Sequence, residues 1–323
     1  MRALLITSFD AAPQLTALQD RLPGRGEVRL RIMACGLNFA DLLMMQGRYQ
    51  DMPGLPFTPG LELSGIIEAV GPETRSLPVG TRVALFSGQG GLAETGCFPA
   101  ERCFAIPDSM SFETAAAFPI AYGTSHLALT RRADLAAGET LVVTGAAGGV
   151  GLTAVEIGKA LGARVIAVAR GADKLAVARA AGADHVIDSD RADLKAELRA
   201  LGGADVVYET VGGDQFIAAL GAMRPEGRIL AIGFAGGTVP QIPANHLLVK
   251  NVSVIGFYWG GYLKFQPAAL ADSLSALVGW FEAGRLRPHV SHVLPLDRVM
   301  EGLALLRDRK STGKVVVRCN QEP

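Results

Sequence analysis

The densest chemical signal in the chain is a run of small residues, Ala146-Ala147-Gly148-Gly149-Val150-Gly151, inside ETLVVTGAAGGVGLTAVEIGKALGARVIAVARG. It stands where a β-branched run gives way to Ala-rich helical spacing, and a second β-branched run begins about thirteen residues after Gly151. Ala146-x-Gly148-x-x-Gly151 is a GxGxxG pattern with alanine in the first place. Gly148 lets a pyrophosphate approach the main chain, and Gly151 lets helix and strand pack closely. The free N–H groups and dipole of the helix start attract the phosphates. Ala147, Gly149 and Val150 belong to the same cradle. The end of the second strand discriminates between dinucleotides. A carboxylate there accepts hydrogen bonds from the ribose hydroxyls of NAD; this chain instead has Ala169, Arg170, Gly171 and then Lys174. Two cations without that carboxylate suit the 2′-phosphate of NADP(H), which is the expected cofactor. The alternative for Arg170 and Lys174 is an ordinary solvated helix start.

A second candidate is CGLNFADLL, Cys35–Leu43, with a thiol, an amide and a carboxylate among apolar neighbours. It reads as a metal site, the remains of one, or part of a core. The other cysteines stand at 97, 103 and 319, and no pair forms CxxC. A disulfide framework is not expected, and reduced thiols point to the cytoplasm. His289 and His292 are three apart but follow a proline, which argues against a helical ligand pair; both read as structural. His126 is either a proton donor or a core or interface residue.

These residues need a scaffold. The chain has 323 residues, 49% of them apolar and 39 of them glycine, enough for one large or two ordinary domains. Thirty-one Lys and Arg balance 31 Asp and Glu. That neutrality gives no support for nucleic-acid binding. No run approaches the eighteen or so apolar residues of a membrane span, and MRALLITSFDAAPQL reads as a first strand, not a signal peptide. Up to about residue 118 the texture is of short apolar runs broken by Gly and Pro, which predicts a β-rich, barrel-like domain. From there to 258, strands and helices alternate: Leu141–Thr144, Val165–Ala169, His185–Asp188, Asp205–Glu209, Ile229–Gly233 and Val252–Phe257 are the predicted strands. Such βαβ units give a parallel sheet. A helix over Pro267–Ala283, a strand near His289–Pro295, a helix over Asp297–Arg307 and a last strand Lys314–Arg318 complete the chain. This tail is expected to return to the first lobe, leaving a cleft between lobes. The predicted domains are therefore 1–118, completed by 259–323, and 119–258.

The stretches CGLNFADLLMMQGRY, PGLELSGIIEAVG, VGTRVALF, GGLAE, TGAAGGVG, GADHVID and TGKVVV resemble the medium-chain dehydrogenase/reductase superfamily over essentially the whole length. They look most like its zinc-free quinone oxidoreductase (zeta-crystallin-like) branch. The resemblance implies an α/β protein with a GroES-like β-barrel catalytic domain and a Rossmann doubly wound parallel sheet. In the zinc-dependent relatives a ligand cysteine falls at Asn38, a histidine at Leu61 and a cysteine near Ile120. None of these side chains suits a catalytic zinc, which needs about three N, S or O ligands. The four-cysteine structural lobe is missing too, and Cys35 becomes a small core residue.

The resemblance further implies NADPH-dependent reduction of a quinone by direct hydride transfer. The alternatives are reduction of an α,β-unsaturated carbonyl compound, whether alkenal, enone or enoyl thioester, and a non-enzymatic nucleic-acid-binding or crystallin-like structural role. Asn38 either donates to the substrate oxygen or nicotinamide ribose, or is a buried structural residue. Tyr49 donates a hydrogen bond or stacks on a flat acceptor. Asp41 orients its neighbours and Glu62 is a structural carboxylate. Thr124 falls near the nicotinamide ribose, and Gly233, Phe234, Phe257, Tyr258 and Trp259 flank the nicotinamide. Ser189 stands where many members carry Tyr or His on the adenine side. Lys314 either reaches the nucleotide phosphates or is a surface lysine. A homodimer, or a tetramer, forms through Rossmann edge strands, here Val252–Phe257.

Overall fold

The computed structural model describes residues 1–321, divided into two units: Met1–Ile120 with the segment from Pro288 onward, and Ala121–Arg287.

The first unit is organised by one long strand, Glu27–Leu37, whose side chains alternate inward and then become wholly buried toward its end. Along one side it pairs with Glu62–Val70. Along the other, its first half pairs with Thr95–Pro99 and its last residues pair with Lys314–Arg318, with Val315 opposite Leu37. Register shifts at Arg29/Leu30 and Ile32/Ala34 bend it, as an extra residue in one strand does. The strand order is Val290–Pro295, Lys314–Arg318, Glu27–Leu37, Glu62–Val70, Arg82–Phe86, Phe104–Ala105. Leu30, Ile32, Cys35, Leu63, Val83, Leu85, Val315 and Val317 fill the core beneath it.

The second unit holds a six-stranded parallel sheet in the order His185–Asp188, Arg164–Ala169, Thr140–Thr144, Ala204–Glu209, Met223–Ala231, Ser253–Gly256. In chain order this is 3-2-1-4-5-6, the doubly wound arrangement whose crevice opens at the carboxyl ends of strands one and four. All six predicted strands are present, within a few residues at their ends; the fifth starts six residues early because Met223 also pairs with Ala204.

One boundary differs from expectation. Residues 259–287 belong to the second unit, not the first. The reason is the face of helix Pro267–Glu282: Leu270, Ser273, Leu274 and Leu277 are buried, and Ser273 Oγ lies 2.8 Å from His126 Nδ1. Only the segment after Arg287 returns to the first unit. No helix among the described residues is long and apolar enough to cross a membrane.

The glycine loop shows why it must be glycine. A Cβ on Gly151 would lie 2.2 Å from the Gly145 carbonyl oxygen and 3.0 Å from Ala146 Cα, both main-chain atoms that cannot swing away. Gly151→Ala is therefore expected to lower the unfolding free energy by about 1–3 kcal/mol. Gly279→Ala, in helix Pro267–Glu282 with open space around its Cβ position, is expected to be neutral or to stabilise by up to about 1 kcal/mol. Urea denaturation of both variants checks the contrast.

Candidate functional site

Two constructions carry the chemistry, one in each unit. In the second unit, strand Thr140–Thr144 turns at Gly145, and helix Gly149–Ala160 starts behind Gly148, which has no side chain to cap it. Leu152 N–H makes the first intrahelical bond, to Gly148 O at 2.8 Å. The N–H groups of Gly149, Val150 and Gly151 thus have no intrahelical acceptor, and the positive end of the helix dipole adds to them. Ala147 is buried behind the loop, and Gly148 is exposed at its tip.

The neighbouring strand closes the crevice with a residue that sequence reading passed over. Glu209, fully buried, accepts from Thr144 Oγ1 at 2.9 Å, Val211 N at 3.0 Å and Gly212 N at 2.9 Å. Thr210 N–H in turn donates to Thr144 Oγ1, and Thr210 Oγ1 to Thr144 O. Burial pushes the Glu209 carboxyl up from its ordinary range, and the hydrogen bonds oppose that. An acidic residue closing an otherwise apolar strand, VVYE, was the available signal.

At the second strand's end, Arg170 is exposed but not free: its Nε lies 3.0 Å from Asp190 Oδ1. Asp188 accepts from Gly171 N and Asp190 N, bonds that hold its carboxyl below the usual range and set the turn. An exposed ion pair of this kind is worth about 0–1 kcal/mol and is readily exchanged. Lys174 is half-buried on the helix that follows. Ser189 donates its N–H to Ala169 O, beside the same turn.

Thr124 is buried in helix Pro119–Leu127. Phe257 and Trp259 are 8% and 4% exposed, and the Trp259 indole sits against Gly123, where a Cβ would come within 2.7 Å of it. Of that trio only Tyr258 offers an open face. Gly233 follows strand Met223–Ala231, and Phe234 beside it is exposed.

The first unit holds the second construction, centred on the fully buried Glu62. Its Oε1 accepts from Lys314 Nζ at 2.7 Å and Asn38 Nδ2 at 2.9 Å, and its Oε2 accepts from Ile120 N at 2.8 Å. Lys314 Nζ also donates to Asn38 Oδ1 at 2.7 Å and Leu37 O at 2.9 Å. All three ammonium protons are thereby committed, and Lys314 is 5% exposed. It is neither a surface lysine nor a ligand for nucleotide phosphates. Asn38 is equally engaged: its amide donates to Gly36 O at 3.2 Å as well as to Glu62, and its oxygen accepts from Lys314. Of the two readings of Asn38, a donor to ligand or a structural amide, this geometry shows the amide engaged within the cluster. Only the longer bond to Gly36 is readily surrendered.

Asp41, also fully buried, accepts from Asn38 N at 2.8 Å and Gly60 N at 3.0 Å, fixing the start of helix Phe39–Met45. Burial pushes its carboxyl up to about 7, against the pull of those two bonds and of Lys314. Leu61 joins Ile6, Met44 and Phe57 in an apolar cluster against which Tyr49 and Ile120 pack. The three positions Asn38, Leu61 and Ile120 are thus gathered around one carboxylate, but as an amide with both ends engaged and two hydrocarbon side chains. That donor set does not fit a zinc ion. Among the described residues no group of three or more His, Cys, Asp or Glu can hold a metal.

The side chains of His126, His289 and His292 bond nearby hydroxyls, while the main-chain carbonyl of His289 accepts from Lys314 N–H at 3.0 Å. His126 bonds Ser273 and meets Trp280 edge-on at 5.3 Å, His289 bonds Thr312, and His292 bonds Ser291.

Comparison with known proteins agrees with this division. Residues 24–108 match the family model for an alcohol dehydrogenase GroES-like domain, and residues 149–275 match that of a zinc-binding dehydrogenase. A quinone oxidoreductase-like protein 2 homolog from Nematostella vectensis is 42% identical over 304 residues, 92% of this chain and 83% of the relative. The chain belongs to the medium-chain dehydrogenase/reductase superfamily, in its zinc-free quinone oxidoreductase branch. The crystallised quinone oxidoreductase of Thermus thermophilus, also solved in complex with NADPH, has a TM-score of 0.88 at 35% identity, covering 98% of this chain and 100% of that one. The Escherichia coli quinone oxidoreductase complexed with NADPH gives 0.90 at 26% identity, covering 98% and 100%.

Two measurements test the cluster. Lys314→Met leaves the Glu62 charge buried without its partner and is expected to cost about 3–5 kcal/mol of stability; Lys314→Met with Glu62→Gln recovers part of it. Asp41 gives a pH signature. Its folded-state proton affinity lies above that of the unfolded chain, so the folded state holds more protons between about pH 4 and pH 7. This contribution is complete below about pH 4 and is lost as pH rises through 7, with a slope of roughly −1.4 kcal/mol per unit. Chemical denaturation across that window is expected to show a shallower fall in Asp41→Asn than in the wild type.

Proposed function

We propose that the protein is an NADPH-dependent quinone oxidoreductase working by zinc-independent hydride transfer. The observation that carries this reading is the Glu62 cluster: Asn38, Leu61 and Ile120 offer hydrogen-bonding and apolar surface instead of a Lewis acid's ligands. An acceptor reduced without a Lewis acid must already be electron-poor, as a quinone is. Bound NADPH supplies the hydride. The chain's own residues bind and orient: the N–H groups of Gly149, Val150 and Gly151 take the pyrophosphate, and Arg170, released from Asp190, takes the 2′-phosphate with Lys174. The two-electron product is a hydroquinone, formed with one proton from solvent. In this reading Asn38, held by Glu62 and Lys314, shapes the polar surface offered to the acceptor, and the Tyr49 hydroxyl is the candidate donor to its oxygen. Thr124, Gly233, Phe234 and Tyr258 serve the nicotinamide end, with Phe257 and Trp259 behind them.

A homodimer through Ser253–Gly256, the last strand of the parallel sheet, is supported by its unpaired edge and by Leu248 and Val249, each 78% exposed just before it. A cytoplasmic location is supported by four free thiols.

The test is oxidation of NADPH and NADH, followed at 340 nm, with a benzoquinone, a larger ortho-quinone and a 2-alkenal. NADPH-selective turnover with a quinone is expected. Arg170→Ala with Lys174→Ala should raise KM for NADPH by about tenfold or more while sparing NADH. Equal effects on both cofactors, or turnover of the alkenal alone, overturn the corresponding part of the assignment.

A further inference from the structure

The parallel sheet has a second end. The glycine loop and Glu209 occupy the carboxyl ends of the strands; at the opposite end, where Ala204 and Met223 begin strands four and five, lies a groove of about 360 Å³. Arg199, Arg224 and Lys250 line it. Lys195 lies alongside, its chain over Gly221, where a Cβ would come within 2.9 Å of Lys195 Cε.

These cations have a structural task. Helices Leu194–Ala200 and Gly213–Gly221 both end here, and the side chains take up main-chain carbonyls. Arg199 Nη2 donates to Gly221 O at 3.1 Å, Arg224 Nε to Gly202 O at 2.7 Å, and Lys250 Nζ to Gly221 O at 3.0 Å and Met223 O at 3.4 Å. Positive charge at helix carboxyl ends is ordinary. The number of charges is not accounted for in that way. Two of the cations converge on one carbonyl, Gly221 O. Asp205 pairs with Arg224 at 2.9 Å, and among the described residues no carboxylate pairs with Lys195, Arg199 or Lys250. Most of the Arg199 guanidinium, the second amino group of Arg224 and one proton of Lys250 remain undirected. Lys250 registers the excess: after burial, repulsion by Arg199 and Lys195 lowers its proton affinity.

We propose that this groove binds a small phosphorylated anion, with Arg199, Arg224 and Lys250 as the residues that hold it. A phosphate or diphosphate group matches planar guanidinium donors in geometry and relieves the mutual repulsion of the cations. The site is independent of the glycine loop and does not rest on the proposed activity.

The experiment is calorimetric titration of the full chain with inorganic phosphate and with inorganic diphosphate. It is run on the wild type, on Arg199→Gln/Lys250→Gln, on Lys195→Glu and on Arg170→Ala/Lys174→Ala. Diphosphate is expected to bind, and its affinity to fall about tenfold or more in the first double variant and in Lys195→Glu while surviving in Arg170→Ala/Lys174→Ala. A second readout is the titration of Lys250 after isotopic methylation of lysines: its midpoint should rise on adding diphosphate. Lys195→Glu, an exposed change that touches none of the carbonyl bonds, keeps the test valid if the double variant fails to fold. The proposal is overturned by no binding in the wild type, by loss confined to Arg170→Ala/Lys174→Ala, or by binding of a single-stranded oligonucleotide without binding of diphosphate.

Discussion

The Glu62 carboxylate is the point on which the first unit depends. A fully buried carboxylate is tolerable only when its lone pairs are satisfied and its charge is matched. Here the matching groups come from three distant stretches: the amide of Asn38, the main-chain N–H of Ile120 and the ammonium of Lys314. Each partner is in turn held in place. Asn38 is fixed through Asp41, which also clasps Gly60, next to Leu61. Ile120 ends the first unit's opening segment, and Lys314 opens its last strand. One carboxylate thus joins the residue before a helix, the end of a segment and strand Lys314–Arg318, while Asp41 fixes the helix start.

The second unit repeats the logic with less charge. Glu209 ties strands one and four where the strand order reverses, using Thr144 and the N–H groups of its own following turn. The crevice is therefore shaped by bonds that are complete within the protein, and the first turn of helix Gly149–Ala160 leaves its N–H groups without intrahelical acceptors. Preformed donors of this kind need little reorganisation on binding. Arg170, by contrast, is already paired, with Asp190.

Much of this was legible beforehand, and the misses have physical causes. The six parallel strands announce themselves as β-branched runs between Ala-rich helices, because strands buried on both faces carry no alternation to confuse them. Glycine spacing marked the tight turn between strand and helix, since only a glycine at position 151 tolerates the Gly145 carbonyl so near. The side chains at Asn38, Leu61 and Ile120 are legible in the sequence, but what joins them is not. Lys314 lies 252 residues from Glu62, and no periodicity reports a contact at that separation. Residue type alone left Asn38 between a free donor and a buried structural amide, because the sequence does not show that Gly36 and Glu62 take its two amide protons. The helix Pro267–Glu282 was assigned to the wrong unit because its apolar face is visible in the sequence while the surface it meets, including His126, is not.

The path of the chain through the two units has a consequence for biosynthesis. Residues 121–287 form an insertion within the other unit, so every residue of the parallel sheet leaves the ribosome before Lys314 does. The inserted unit is free to fold as synthesis proceeds, domain by domain. The flanking unit must wait, with Glu62 and Asp41 already synthesised and still open to water, until the final strand delivers its ammonium. Completion of that unit is thereby deferred until residue 314 has been synthesised, and a chain truncated before that residue lacks the partner that closes the buried ion pair with Glu62.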